Sequence, residues 1–230
     1  MRKLITILVV SFAVIACSQS PTSAPTTDEQ KAFYSLGVFL HRDTYQLELM
    51  PEDYKYVQLG MADAVAGKKF ATEPDASLPK LRQILNDRRE KRKAQAQEMI
   101  DKVAAEKGSK KTASGMVYQE MAAGTGSQPK DKDRVKVQYT GTFINGKEFD
   151  STLKRGGKPV EYTLGEILPC FSEGVGMMKV GGKAKFYCPP DIAYGDMGNP
   201  PIIPGGSLLI YEVELLETKA VSASKADPKQ

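Results

Sequence analysis

Hydrophobic positions divide this chain into a helical front part and a strand-rich last third. Apolar side chains recur at roughly helical spacing after a capping box of Thr27 and Gln30, at Phe33, Leu36, Leu40 and Leu47. A second stripe follows Pro51 and predicts a helix that Gly67 would end; it comprises Tyr54, Val57, Met61, Ala64 and Val65. These helices could form a small core of their own or an interface with a second copy. Short helices make a poor independent core, which favours association.

A long segment, 80–107, contains neither Gly nor Pro. As one helix it would be about 42 Å long. Its ends carry apolar residues, whereas Asn86–Lys93 between them carries none. We interpret this middle as a solvated face between two packed ends, and a polyanion-binding patch is less favoured because Asp87 and Glu90 interrupt the basic residues. The stretch after Gly108 is interpreted as the end of the helix.

From about residue 112 the hydrophobic period changes to two, which is typical of half-buried strands. Arg134–Phe143 alternates apolar and polar residues, and Asn145-Gly146 is a preferred hairpin turn. Several strands around one helix predict an α+β domain with a curved antiparallel sheet. Further strands are expected at 161–164, 184–188 and 208–216, and a short helix within 171–178.

The first 27 residues resemble an export signal followed by a tether. Arg2 and Lys3 precede an apolar run of about 12 residues, which is too short to span a bilayer. The run ends Val-Ile-Ala-Cys17, which resembles the lipobox of bacterial lipoproteins; an ordinary secretory signal is the alternative. We therefore expect a signal peptide over 1–16, and a lipidated Cys17 with a flexible Ser/Thr/Pro-rich tether over 17–27. Ser18, rather than Asp, after the cysteine favours the outer membrane.

Charge and composition exclude several classes of function. The formal net charge is +4, and loss of Arg2 and Lys3 would leave 30 basic against 28 acidic residues, or +2, which gives no ground for nucleic-acid binding. One His and three Cys argue against a protein-built metal site, and nothing indicates a cofactor. Ser-His or Cys-His catalysis would depend on His41 alone.

Four segments of the last third resemble the FK506-binding-protein (FKBP) family of peptidyl-prolyl cis-trans isomerases. They are VQYTGTFINGKEFDST (137–152), EGVGMMKVGGKAK (173–185), PPDIAYG (189–195) and PPIIPGGSLLIYEVELL (200–216). SLGVFLHRD (35–43) and GMADAVAGKK (60–69) are similar to the N-terminal domain of the periplasmic Mip and FkpA-type members. The resemblance implies a helical dimerisation domain over 28–76, a long connecting helix over 77–111 and an FKBP domain over 112–218, whose curved antiparallel sheet wraps a short helix. Residues 219–230 are expected to be a disordered tail.

The same resemblance implies a catalytic set of Asp150, Tyr194 and Tyr139. Asp150 would lie beside the pocket, paired with the Tyr139 hydroxyl or polarising the bound group, and the Tyr194 hydroxyl would bond a ligand carbonyl. The alternative for Asp150 is a turn cap with Ser151, and several of the aromatic residues could be plain core. The substrate-binding positions, including a backbone N–H at Leu168 that would hold a carbonyl, are Phe149, Tyr162, Ile167, Leu168, Phe171, Ile202, Ile203 and Tyr211.

Two positions depart from the family pattern. Phe171 stands where the family usually has Trp at the pocket floor, and Cys170 stands where Gly is common. In the family fold the floor helix packs over the strand that carries Cys188, so the resemblance implies a Cys170–Cys188 disulfide in an oxidising compartment. Two buried thiols and a redox-sensitive pair are the alternatives.

Three functions are weighed. The first is a lipid-anchored, dimeric prolyl isomerase that needs no cofactor and acts on proline-containing proteins as they fold outside the cytoplasm. The second is a holdase chaperone whose isomerisation is incidental, and the third is a surface interaction protein. The expected partners are unfolded proteins, a second copy, the outer membrane through the lipid anchor (facing the periplasm or the cell surface) and macrolides of the FK506 type. The retained pocket residues favour the first function over the third.

Overall fold

The computed structural model describes residues 24–43, 47, 49–199 and 201–220. The expected signal peptide, the lipidation at Cys17 and residues 221–230 of the expected tail lie outside this part. The chain divides into two compact units, residues 1–41 and 42–230, and α1 is described here by itself. Within the described ranges, no helix combines the length and apolar character needed to cross a membrane.

Helix α1 spans Asp28–Asp43, and its first turn shows the predicted capping box. Gln30 N donates to Thr27 Oγ1 at 3.2 Å, and Thr27 N donates to Gln30 Oε1 at 3.2 Å. The helix ends before Leu47, which therefore does not extend its stripe. Large apolar side chains are exposed along it, including Phe33 at 66% and Leu36 at 50%.

Helix α2 spans Pro51–Val65 and begins where Met50 N donates to Asp53 Oδ2 at 2.7 Å. Gly67 follows its end with φ of +62°, in agreement with the predicted stop. None of its side chains is buried within the described part of the chain, and Val57, Met61 and Val65 are exposed. The predicted stripe therefore does not build a buried core here.

Helix α3 spans Pro74–Ala104 and differs from the predicted connecting helix at both ends. It begins earlier, and Ser109–Lys111, which we expected to close a helix over 77–111, forms strand β1 instead. Its last turns bury Ala96, Ile100 and Val103 against Val117 and Leu208 of the following domain. This part of α3 is therefore a packed layer of the domain.

The interpretation of Asn86–Lys93 as a solvated face is wrong for four of its residues. Arg88, Arg89, Arg92 and Lys93 are half-buried and continue the helical stripe between the buried Leu85 and Ala96. Their aliphatic stems can cover apolar surface while the charged heads reach polar partners. A sequence pattern that counts only apolar residues misses this stripe.

The sheet has seven antiparallel strands in the order β1-β2-β6-β7-β3-β4, with β5 paired to β3. The hairpin at Asn145-Gly146 joins β3 to β4 as predicted, with Gly146 at φ of +78°. The sequence did not predict β1 and β2. The strands are β1 Ser109–Lys111, β2 Val117–Ala122, β3 Arg134–Thr142, β4 Glu148–Ser151, β5 Val160–Thr163, β6 Lys183–Cys188 and β7 Leu209–Lys219.

The short helix α4, Pro169–Gly176, packs on one face of the sheet. A Cβ on Gly174 would lie 2.5 Å from the Phe186 ring, so the missing side chain lets α4 approach β6 closely. Phe171 and Val175 of α4 pack in the main core with Tyr139 of β3 and Tyr211 of β7. Phe171 therefore lies between α4 and the centre of the sheet, and this position defines one side of the candidate site.

Candidate active site

One cavity of about 370 Å³ opens between α4 and the sheet. All eleven residues that the resemblance assigned to catalysis or substrate binding line it, together with Arg155 and Asn199. Six of them come from four strands and one helix: Tyr139 from β3, Phe149 and Asp150 from β4, Tyr162 from β5, Phe171 from α4 and Tyr211 from β7. Ile167 and Leu168 precede α4, and Tyr194, Ile202 and Ile203 lie between β6 and β7.

Phe171 forms the floor and is almost wholly buried. Its ring centroid lies 5.1 Å from that of Tyr211 and 5.5 Å from that of Tyr139, both edge to face. Phe186 stands behind it at 6.2 Å. Edge-to-face rings at these distances attract one another, so the floor is held from the sides and from below.

Asp150 connects the aromatic wall to a cation. Tyr139 Oη donates to Asp150 Oδ2 at 2.5 Å, and Arg155 Nε donates to Asp150 Oδ1 at 3.0 Å. Arg155 Nη2 also donates to Oδ2 at 2.5 Å, so the guanidinium binds the carboxylate with two bonds. The Tyr139 and Tyr162 hydroxyl oxygens lie 3.4 Å apart.

This hydrogen-bond network and burial together determine which side chains of the cavity are charged. Burial alone would raise the pKa of Asp150, but the hydrogen bonds from Arg155 and Tyr139 outweigh it and hold that pKa below its usual value. Burial, assisted by the bond to Asp150, raises the pKa of Tyr139. Burial also raises the pKa of Tyr211 and of Tyr194, the latter opposed by a hydrogen bond with the Asn199 side chain. At neutral pH the Asp150 carboxylate is therefore ionised and paired with Arg155, and the Tyr139, Tyr194 and Tyr211 hydroxyls are neutral.

Comparisons with known proteins agree with this geometry. A family model for the FKBP-type peptidyl-prolyl cis-trans isomerase matches residues 125–216, and one for the domain amino-terminal to it matches residues 29–119. The chain is 38% identical over 232 residues to the FKBP-type peptidyl-prolyl cis-trans isomerase FkpA of Escherichia coli K12, covering 93% of this chain and 84% of that protein. This chain belongs to the FKBP-type peptidyl-prolyl cis-trans isomerase family.

Two further FKBP-type relatives cover most of the chain. A probable FKBP-type peptidyl-prolyl cis-trans isomerase of Haemophilus influenzae is 35% identical over 213 residues, 86% of this chain and 88% of that protein. The crystal structure of FkpA from Escherichia coli has a TM-score of 0.58 and 36% identity, covering 85% of this chain and 99% of that one. The expected α+β fold, with an N-terminal helical domain and an FKBP domain, is thereby confirmed.

The structure also locates the two cysteines of this FKBP-type isomerase. Cys170 in the first turn of α4 and Cys188 at the end of β6 are joined by a disulfide, with Cα atoms 5.8 Å apart. Both are fully buried beside the floor residue Phe171. The bridge ties the helix that carries the floor to the strand that leads to Tyr194.

Sequence reasoning missed Arg155 and Asn199. Arg155 follows Asp150 by five positions through a turn, so no helix or strand spacing points to it. The available signal was chemical, because a carboxylate among aromatic rings requires a counter-charge. Asn199 lies beyond Tyr194 in an irregular segment and carried no motif of its own.

Among the described residues, those that line the cavity include no His, Cys, Ser, Thr or Lys. His41, on which Ser-His or Cys-His catalysis would depend, lies in α1. In the described ranges, no group of three or more His, Cys, Asp and Glu side chains could hold a metal ion. What the arrangement offers is an apolar, aromatic enclosure with a few oriented polar groups.

Proposed function

We propose that this isomerase accelerates X-Pro rotation by binding the twisted amide more tightly than either planar isomer. Rotation breaks amide resonance and has an uncatalysed barrier of about 18–20 kcal/mol. Tighter binding of the twisted state lowers that barrier with no bond to the substrate. The observation that carries the proposal is the cavity whose aromatic walls enclose Phe171 and the Tyr139–Asp150–Arg155 network.

Each polar group has a separate role in this proposal. The twisted amide is less polarised than the planar one, so it loses less on leaving water for an apolar enclosure. Asp150 engages the Tyr139 hydroxyl and keeps that ring oriented as a wall. The Tyr194 hydroxyl and the Leu168 N–H at the start of α4 are the donors proposed to hold substrate carbonyls.

Rates on a short X-Pro peptide test these roles. Asp150→Ala and Tyr194→Phe should each lower kcat/KM by about 10-fold, since each removes an interaction worth about 1.5 kcal/mol. Tyr187→Phe and Asp131→Ala are the matched controls, because these side chains lie outside the cavity. Equal activity in all four variants would contradict the proposed roles.

A second copy of the chain is the proposed partner of the N-terminal helices. The exposed apolar side chains of α1, such as Phe33, and of α2, such as Met61, support an interface that excludes water from them. Sedimentation of Met61→Lys should show a shift towards monomer, whereas Glu52→Lys on the opposite face of the same helix should not. A wild-type monomer at micromolar concentration would contradict this partner.

Holdase activity is the second candidate, because the same exposed apolar surface could bind unfolded chains. Suppression of aggregation by Asp150→Ala separates the two functions. A holdase should be as effective with this variant as with the wild type, whereas client refolding limited by X-Pro rotation should slow. Parallel loss of both effects would contradict a separate holdase.

The proposed location is the outer membrane, facing the periplasm or the cell surface. The lipobox-like sequence before Cys17 and the following Ser18 support a lipid anchor at that cysteine. Mass spectrometry of the N-terminus and membrane fractionation test it with Cys17→Ser. Wild-type protein that is unlipidated and stays out of the membrane fraction would contradict it.

Macrolides of the FK506 type are proposed ligands of the same cavity, on the basis of its aromatic lining. A macrolide should inhibit rotation of the X-Pro peptide competitively. Activity that is unchanged at saturating macrolide would contradict this binding.

A further inference from the structure

The segment 193–208, described except for residue 200, joins the 3₁₀ turn Pro190–Ile192 to β7 and is called the pocket loop here. It carries four residues of the cavity lining, Tyr194, Asn199, Ile202 and Ile203. Gly206 N donates to the Gly195 carbonyl at 2.9 Å and closes the base of the loop. Asn199 and Ile203 exchange backbone bonds of 2.8 and 2.9 Å nearer its tip. The position of this base therefore sets the position of four lining residues.

Helix α3 contacts the base of the pocket loop on both sides. Arg92 Nε donates to the Gly205 carbonyl at 2.8 Å, and Lys93 Nζ lies 2.6 Å from Asp196 Oδ1. Gly205 directly precedes Gly206, and Asp196 directly follows Gly195. The two contacts thus flank the hydrogen bond that closes the loop.

Gly206 lets the helix and the loop approach each other closely. A Cβ there would lie 3.1 Å from the Arg89 carbonyl oxygen and 3.2 Å from the Cγ atoms of Arg89 and Lys93. Its φ of +74° also disfavours any residue with a side chain. The contact is therefore a packed one in addition to its two polar bonds.

Helix α3 is itself held on either side of this contact. One turn earlier, the Arg88 guanidinium donates two hydrogen bonds, of 2.6 and 3.1 Å, to the Asp53 carboxylate of α2. One turn later, the buried Ala96 begins the packing of α3 against the sheet. The helix can therefore act as a fixed support for the loop.

We infer that Arg89, Arg92 and Lys93 are positioning residues that hold the pocket loop in the form that binds the X-Pro segment. None of the three lines the cavity, so their effect on the substrate runs through the loop. The inference rests on the isomerase function proposed above, and it makes a helix outside the FKBP motifs part of the binding apparatus.

Charge reversal across the contact tests the inference on an uncharged X-Pro peptide. Lys93→Asp and Asp196→Lys should each raise KM about threefold to fivefold, with a smaller change in kcat, since a partly exposed ion pair contributes modestly. The double variant restores opposite charges and should bring KM back to within about twofold of the wild type. Lys91→Asp makes the same charge change on the exposed side of α3 and should leave KM unchanged.

Amide hydrogen exchange supplies a readout independent of catalysis. In Lys93→Asp the Gly206 and Ile203 amides should exchange faster than in the wild type, whereas in Lys91→Asp they should not. Lys93→Asp that matches Lys91→Asp in both KM and exchange, or a double variant that fails to recover KM, would overturn the inference. If the wild type does not accelerate rotation, the proposed function fails instead, and hydrogen exchange still decides whether α3 holds the loop.

Discussion

Asp150 is the side chain on which the polar part of the site depends. Its carboxylate accepts from Tyr139 and from two nitrogens of Arg155, so one acid orients an aromatic wall and neutralises a cation. The acid itself was predictable because it belongs to a motif of several residues. Its cation was not, because a turn brings Arg155 back to it.

Replacement of Arg155 should change the acid limit of activity. Loss of the guanidinium in Arg155→Met removes the main influence that lowers the pKa of Asp150, so that pKa rises. A carboxyl group whose pKa is lower in the folded protein than its unfolded-state value of about 3.9 stabilises the fold at pH above that value. This stabilisation is lost as the pH falls through the folded-state pKa. The pH at which kcat/KM is halved on the acid side should therefore be higher in Arg155→Met than in the wild type.

Arg134→Met is the control for this pH profile, since Arg134 pairs with Glu161 rather than Asp150. Circular dichroism at each pH separates loss of activity from unfolding. An unchanged acid limit in Arg155→Met, with the protein folded, would mean that Arg155 does not control the ionisation of Asp150.

Helix α4 and strand β6 form the frame beneath the pocket floor. Their close approach depends on Gly174, and the Cys170–Cys188 disulfide ties them together. The role of Gly174 can be tested against a matched control, because α4 contains a second glycine, Gly176, with open space around it.

Gly174→Ala should destabilise the protein by about 1–3 kcal/mol, since its Cβ would overlap the Phe186 ring and force α4 away from the sheet. Activity should fall with it, because Phe171 moves with the helix. Gly176→Ala should be neutral or slightly stabilising. Urea unfolding of both variants measures the difference, and equal stabilities would contradict the close packing.

The disulfide should contribute about 3 kcal/mol, as expected for closure of a loop of this size in the chain-entropy model. Reduction should therefore lower the melting temperature by about 10 °C. The Cys170→Ala/Cys188→Ala double variant should melt below the wild type and be insensitive to the reductant. A wild type that melts at the same temperature with and without reductant would contradict this contribution.

The sequence predicted strands well where one face of the strand is buried. Strands β3, β6 and β7 alternate buried and more exposed residues, so their positions were foreseen. Helix α2 was foreseen from its apolar stripe, although none of its side chains is buried in the described part of the chain. Strand β2 was missed because Val117 packs against α3 while its neighbours Met116 and Tyr118 pack in the main core, which abolishes alternation. The α3 stripe was missed because Arg and Lys stems take apolar positions. Strand β2 and the half-buried side of α3 were both missed because their burial depends on contacts with distant parts of the chain, which a local sequence pattern does not reveal.

The chain combines the cavity proposed to be catalytic with helices α1 and α2, whose apolar side chains are exposed. Small peptides need only the cavity, whereas an unfolded protein can contact both copies of the proposed dimer. Two linked sites raise the local concentration of client segments near each cavity. Association should therefore matter for large substrates and not for small ones.

Met61→Lys tests this division. Its kcat/KM on a short X-Pro peptide should stay within about twofold of the wild type, because Met61 is not among the residues that line the cavity. Its acceleration of X-Pro-limited refolding of a large protein should fall. Glu52→Lys, on the opposite face of α2, should keep both activities, and equal refolding rates with both variants would contradict a role for association.

The most direct measurement is the cis–trans exchange rate of a short X-Pro peptide, followed by NMR with substoichiometric protein. The wild type and His41→Ala should accelerate exchange equally, whereas the Tyr139→Phe/Asp150→Ala double variant should lose most of the acceleration while remaining folded. Folded wild-type protein that leaves exchange at the buffer rate, or a double variant as active as the wild type, would contradict catalysis by this cavity.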